Sequence, residues 1–188
     1  MTQDIPEEIS REVAGSERVL WAGQPRQGVF LRGTDAFLIP FSLLWGGFAF
    51  FWEASVLEAP NAPGFFALFG IPFVGVGVYL IFGRFFADAK QRERTFYVVT
   101  NERILIISGL FSRKVKSLNL RTLADLSLSE GSDGEGSISF GGGSPFGSMF
   151  GSMPGWPGTD AYVGPRFALI PGARSVFDII RGAQRESP

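Results

Sequence analysis

Four basic residues, Arg92, Arg94, Lys114 and Lys116, fall in one part of this chain, and ammonium and guanidinium groups so grouped could hold anionic lipid head groups. Five apolar side chains form a second set. Phe146, Met149, Phe150, Met153 and Trp156 stand on a Gly-, Ser- and Pro-rich run from 141 to 164, where a flexible connector would need none of them. Such a loop calls for a cover, which could be its own sheet, the membrane interface or another protein. A third set, Glu130, Asp133 and Glu135, surrounds an Asp-Gly pair suited to the positive φ angles of a hairpin turn. EF-hand ligand spacing is absent there, so the carboxylates read as solvated turn chemistry and no metal site is expected.

Other chemistry is removed by composition. The chain has neither cysteine nor histidine, which excludes disulfides, thiol nucleophiles and imidazole acid–base catalysis. No Gly-rich stretch ends in Gly-Lys-Ser/Thr, and no serine has the Gly-x-Ser-x-Gly surround of a nucleophile elbow. A non-enzymatic protein is expected, with no cofactor and no nucleic-acid partner.

The elements that must carry these residues begin with two stretches free of charge, Ala36 to Trp52 and Phe65 to Gly83. At about 1.5 Å of rise per residue each nearly spans the ~30 Å of bilayer hydrocarbon. Backbone groups in lipid must satisfy one another, so both are expected to be helical despite their Phe and Val content. Glu53 and Glu58 fall in the connection, and nothing ionisable is expected inside either span. Asp4, Glu7, Glu8 and Glu12 occupy the start where a signal peptide needs basic residues, so the first span is expected to be retained. Arg18, Arg26 and Arg32 precede the first span; Arg84, Lys90, Arg92 and Arg94 follow the second; the loop between has no basic residue. The positive-inside rule then puts both termini in the cytoplasm.

After the second span the hydrophobic period changes from helix to strand. Thr95 to Thr100 and Ile104 to Ser108 form a predicted strand pair around Asn101, Glu102 and Arg103. Val115, Leu118 and Leu120, interleaved with Lys114, Lys116 and Asn119, predict a half-buried strand. Leu123 to Ser129, Ser137 to Phe140 and Arg166 to Ile170 predict three more. Val176, Phe177, Ile179, Ile180 and Ala183 share one stripe of a terminal helix from about Ala173 to Arg185. Ahead of the spans, Ile5, Ile9 and Val13 suit a short helix and Glu17 to Gly23 a short strand, both expected to dock on the cytoplasmic domain.

The run TFYVVTNERILIISGL from Thr95, followed by RKVKSLNL from Arg113, resembles the start of bacterial pleckstrin-homology (PH)-like domains. ERVLWAGQP from Glu17 is similar to the segment that often precedes a transmembrane hairpin in membrane-bound members. The resemblance implies a membrane-anchored α+β protein: a two-helix transmembrane hairpin plus a cytoplasmic, strongly bent antiparallel β-sheet capped by a C-terminal helix. Its implied parts are an N-terminal segment over 1–35, a hairpin over 36–86 with an outer loop over 53–64, and a PH-like domain over 87–188. Its implied location is the bacterial inner membrane. Thr100, Asn101, Arg103, Gly109 and Arg113 are the most family-like residues, and local turn chemistry accounts for most of them. Phosphoinositide-binding relatives use a longer basic loop between their first two strands than Asn101 to Arg103 provides, so that ligand does not carry over.

Three functions follow as expectations. The first is a membrane-anchored module that binds a protein partner or copies of itself through edge strands and the apolar loop. The second is recognition of anionic membrane lipid through Arg92, Arg94, Lys114 and Lys116. The third is a small transport or channel subunit, disfavoured by the absence of intramembrane charge.

Overall fold

The computed structural model describes residues 7–13, 15, 17–31, 35–60, 63–110, 112–123, 125–131, 134–141 and 164–186. In chain order the elements are α1 (Glu7–Ser10), β1 (Val19–Gly23), α2 (Asp35–Glu58), α3 (Gly64–Val78), a π-helical turn (Tyr79–Gly83), α4 (Arg84–Glu93), β2 (Phe96–Thr100), β3 (Arg103–Ser108), β4 (Lys114–Asn119), a 3-10 turn (Leu120–Thr122), β5 (Leu126–Glu130), β6 (Glu135–Phe140), β7 (Arg166–Pro171) and α5 (Ala173–Glu186). They form two compact units, one with all the strands and α5, the other with α2 and α3.

The strand unit is α+β. Its two antiparallel sheets have the orders β1-β2-β3-β4 and β5-β6-β7. Facing side chains make the main core: Tyr97, Val99, Ile104 and Ile106 from the first sheet, Ile138, Phe140, Phe167 and Ile170 from the second. α5 adds Val176, Ile180 and Ala183, with Phe177 and Ile179 partly buried beside them. Phe167 is the hub, its ring centroid 4.5 Å from Tyr97, 4.9 Å from Phe140 and 5.7 Å from Trp21. Close approach of α5 to β6 requires Gly136, where a Cβ would collide with the Ala173 methyl and the Ser129 carbonyl.

The first sheet also buries its other face. Ile9 from α1 packs with Val98, Leu105 and Ile107, with Val13 and Val19 partly buried beside them. β2 and β3 are thus covered on both faces, which explains their unbroken Val/Ile/Leu runs where a one-sided strand would alternate.

β1 is the first strand of the sheet, and it pairs antiparallel with β2, Val19 opposite Thr100 and Gly23 opposite Tyr97. The connection between the first two strands is therefore the whole of 24–95, including α2 and α3. The Asn101–Arg103 turn joins the second strand to the third, not the first to the second. Both ends of the long connection are stitched together: Gln24 Nε2 donates to the Glu93 carbonyl at 3.0 Å, Gln27 Nε2 to the Arg92 carbonyl at 3.2 Å, and Arg92 Nη2 to the Gly28 carbonyl.

In the helical unit, α2 and the helix from Gly64 to Glu93 are each long and apolar enough to cross a membrane, at 24 and 30 residues. Their packing depends on small residues. A Cβ on Gly77 would press on the Gly46 Cα, and one on Gly46 would strike Ile81. Outward faces are apolar, with Phe37 72% and Leu44 75% exposed. Both helices run past the charge-free stretches, because a helix ends where its backbone bonding ends and not where charge begins. Glu53, expected in the loop, is inside α2 and lies against Gly70 of α3, where any side chain would collide with its carboxylate and with Trp52.

Candidate functional site

The turn signature does more than turn the chain. Thr100 is fully buried; its Oγ1 accepts from Glu102 N at 3.2 Å and Arg103 N at 3.0 Å and donates to the Arg103 carbonyl at 3.0 Å. Asn101 Oδ1 accepts from Arg18 N at 2.8 Å, and Asn101 N donates to the Arg18 carbonyl at 3.1 Å. Arg103 pairs with the buried carboxylate of Glu17 at 2.7 Å and donates to the Glu12 carbonyl at 3.1 Å. Arg113 pairs with Glu12 at 3.1 Å. These residues hold the segment before β1 onto the sheet, a role their local turn chemistry did not reveal.

That segment and its neighbours tie down the β1 side of the first sheet. Just past β1, Arg26 N donates to the Leu169 carbonyl at 2.8 Å and the Arg26 guanidinium pairs with Glu135 at 3.1 Å, so the chain that leaves β1 is bonded to the second sheet. Leu169 adopts φ 53° at the point where the β6–β7 register shifts, an uncommon conformation for a branched residue that aims its carbonyl at Arg26.

At the opposite edge no further strand follows β4 among the described residues. β4 pairs with β3 on one side and ends the sheet on the other. Its first four residues, Lys114, Val115, Lys116 and Ser117, are all exposed, and only Leu118 packs on the main core. This corrects the half-buried strand expected from the sequence. Val115 and Leu118 are three residues apart and so lie on opposite faces, and Val115 is 39% exposed. Register puts Lys116 opposite Ile106 and Lys114 opposite Ser108, so both ammonium groups stand on one face and Val115 on the other.

The four lipid-contact candidates separate accordingly. Lys114 and Lys116 share a face of β4. Arg94 is exposed and donates to the Leu110 carbonyl at 2.7 Å, which ties it to the β3–β4 turn. Arg92 is 6% exposed, and its bond to Gly28 places it inside the domain instead of on a basic surface. Its acceptor lies 64 residues earlier, which no local pattern could disclose. Phe146, Met149, Phe150, Met153 and Trp156 lie outside the described residues.

In the helical unit two charged features went unforeseen. Asp35 and Arg84, both buried, pair at 2.8 Å where α2 begins and α4 begins. A signal existed: they are the first charges flanking the two apolar stretches on their basic side. Glu53 Oε2 is buried and has no hydrogen-bond partner among the described residues. Among the described residues no group of three or more metal-ligating side chains is present.

The family model of the bacterial PH domain matches residues 55–182. No curated protein and no solved structure matches the chain. PH domains are in general non-catalytic binding modules, and the match stops short of β1, although β1 belongs to the same sheet. Two antiparallel sheets, a capping C-terminal helix and a match over more than half of the sequence lead to one assignment: the chain belongs to the bacterial PH domain family.

Proposed function

We propose that the chain is a non-enzymatic, membrane-anchored module whose PH-like domain binds a protein partner, or a second copy, at the cytoplasmic face. Support for the anchor comes from the outward apolar faces of α2 and α3, a surface that water would penalise and lipid would not. Basic residues flank both apolar stretches on one side and are missing between Gly33 and Gly83, which favours a hairpin with both termini inside.

The observation that carries the binding reading is the difference between the two edges of the first sheet. The chain just past β1 is bonded to the second sheet, whereas β4 has no second ladder partner among the described residues and carries exposed side chains. Since the chain has no cysteine, single-cysteine variants serve both tests. A cysteine at Pro60 should react with an impermeant reagent from outside intact cells and one at Gly134 should not; the reverse pattern refutes the topology. Crosslinking from Val115 in membranes should yield a discrete adduct, and its absence there and at every other domain position refutes the binding reading.

A second reading, contact with anionic head groups, keeps Lys114, Lys116 and Arg94 because these remain exposed. Flotation with anionic but not neutral vesicles, lost at high salt, would support it; equal flotation with both would remove it.

A further inference from the structure

We infer that the β4 edge receives an extended acidic segment of a partner protein, with acidic, apolar and acidic side chains at successive positions. The inference rests on the proposed binding role of the domain and names the chemistry of that site.

Three features lead to it. An edge strand offers N–H and C=O groups in a row, and another strand satisfies both kinds. A lipid phosphate would accept from the N–H groups and leave the carbonyls unpaired. The second feature is charge. Lys114 and Lys116 stand on one face with Val115 between them on the other, so an added antiparallel strand places its own alternate residues directly beside them. Opposite the lysines Asp or Glu is favoured, and opposite the 39% exposed Val115 an apolar residue is favoured.

The third feature is what the edge rejects. Pairing of β4 with β4 of a second copy about Val115 would set Lys114 against Lys116 twice, and like charges directly opposite are destabilising. Edge lysines guard sheets against neutral strands for the same reason. An acidic strand turns that guard into an attraction. The anionic-membrane reading narrows in parallel, because Arg92 is buried, leaving the two lysines of β4 and the exposed Arg94.

The test uses the full chain in phosphatidylcholine nanodiscs at low salt, titrated into fluorescent peptides. One alternates Glu with Val, a second Gln with Val, a third Lys with Val. The Glu peptide should bind roughly tenfold more tightly than the Gln peptide, from two new charge pairs. The double variant Lys114→Glu, Lys116→Glu should invert the order and take the Lys peptide roughly tenfold more tightly, a gain of binding that an unfolded variant would not show. Amide exchange in β4 should slow with the Glu peptide. The assignment is overturned if no peptide binds, if the double variant keeps the wild-type preference, or if the lysines prove to direct the chain to anionic vesicles while peptide leaves β4 exchange unchanged. A photo-crosslinker placed at Val115 or at Met149 separates the two levels. Protein adducts from Met149 alone overturn the β4 site and leave the proposed function standing; adducts from no domain position overturn both.

Discussion

The two edges of the first sheet differ in how much of the molecule engages them. β1 is a five-residue strand without alternation, yet the segments flanking it engage Arg103, Asn101, Glu135 and Leu169. β4, a six-residue strand, has Lys/Val alternation, and among the described residues its ladder partner is β3 and its residue packed on the main core is Leu118. Long-range side-chain bonds therefore gather around β1, and exposed side chains around β4. Conspicuous sequence pattern and depth of structural attachment run in opposite directions here.

Four perturbations test that contrast. The largest loss should come from Phe167→Ala, which removes the ring shared by Trp21, Tyr97 and Phe140; about 3–5 kcal/mol is expected, read as a lowered thermal midpoint of the full chain in detergent. A loss under about 1 kcal/mol would show that the sheets do not depend on this hub. Arg103→Ala leaves the Glu17 carboxylate buried without its partner and should cost about 2–3 kcal/mol, with faster amide exchange in β1 than in β3. Uniform acceleration across the sheet would mean that Arg103 does not act through the segment before β1.

Gly109→Ala comes next, at about 1–2 kcal/mol, because Gly109 has φ 149° and a Cβ there would collide with the Ser112 carbonyl. It should loosen β4 while sparing β1. Smallest is the pair Lys114→Ala and Lys116→Ala, expected to change stability by no more than about 0.5 kcal/mol since both side chains are exposed. A larger destabilisation would mean that β4 is held as firmly as β1, and the contrast would fall.

Much of this architecture was legible in the sequence, and the reasons are particular. Val98, Val99 and Ile104 to Ile107 are unbroken apolar runs, and Val176, Ile180 and Ala183 repeat at helical spacing, so the strands and α5 announced themselves through burial. β1 as first strand of the sheet was not legible as such, since its ladder partner follows a long stretch of helix and loop and all five of its residues are half-buried. Without β1 in the count, the first-to-second strand connection falls on Asn101–Arg103. At the candidate site, Lys114 and Lys116 were visible as charge on a strand, but the fate of Arg92 depended on a carbonyl distant in sequence. Glu53 was hidden because a charge reads as the end of a span, whereas α2 continues through it to Glu58.

The long connection between β1 and β2 also sets an order of events during synthesis. Arg18 and Asn101 are 83 residues apart, so β1 leaves the ribosome well before anything exists for it to pair with. Loop-closure cost grows only slowly with length, but closure cannot begin until both helices have been made. Trp21 and its neighbours remain uncovered through that interval, as a nascent segment that chaperones or proteases can reach. Once β2 arrives, the ladder from Val19 to Gly23 closes, so the folded first sheet acts as a record that α2 and α3 were completed.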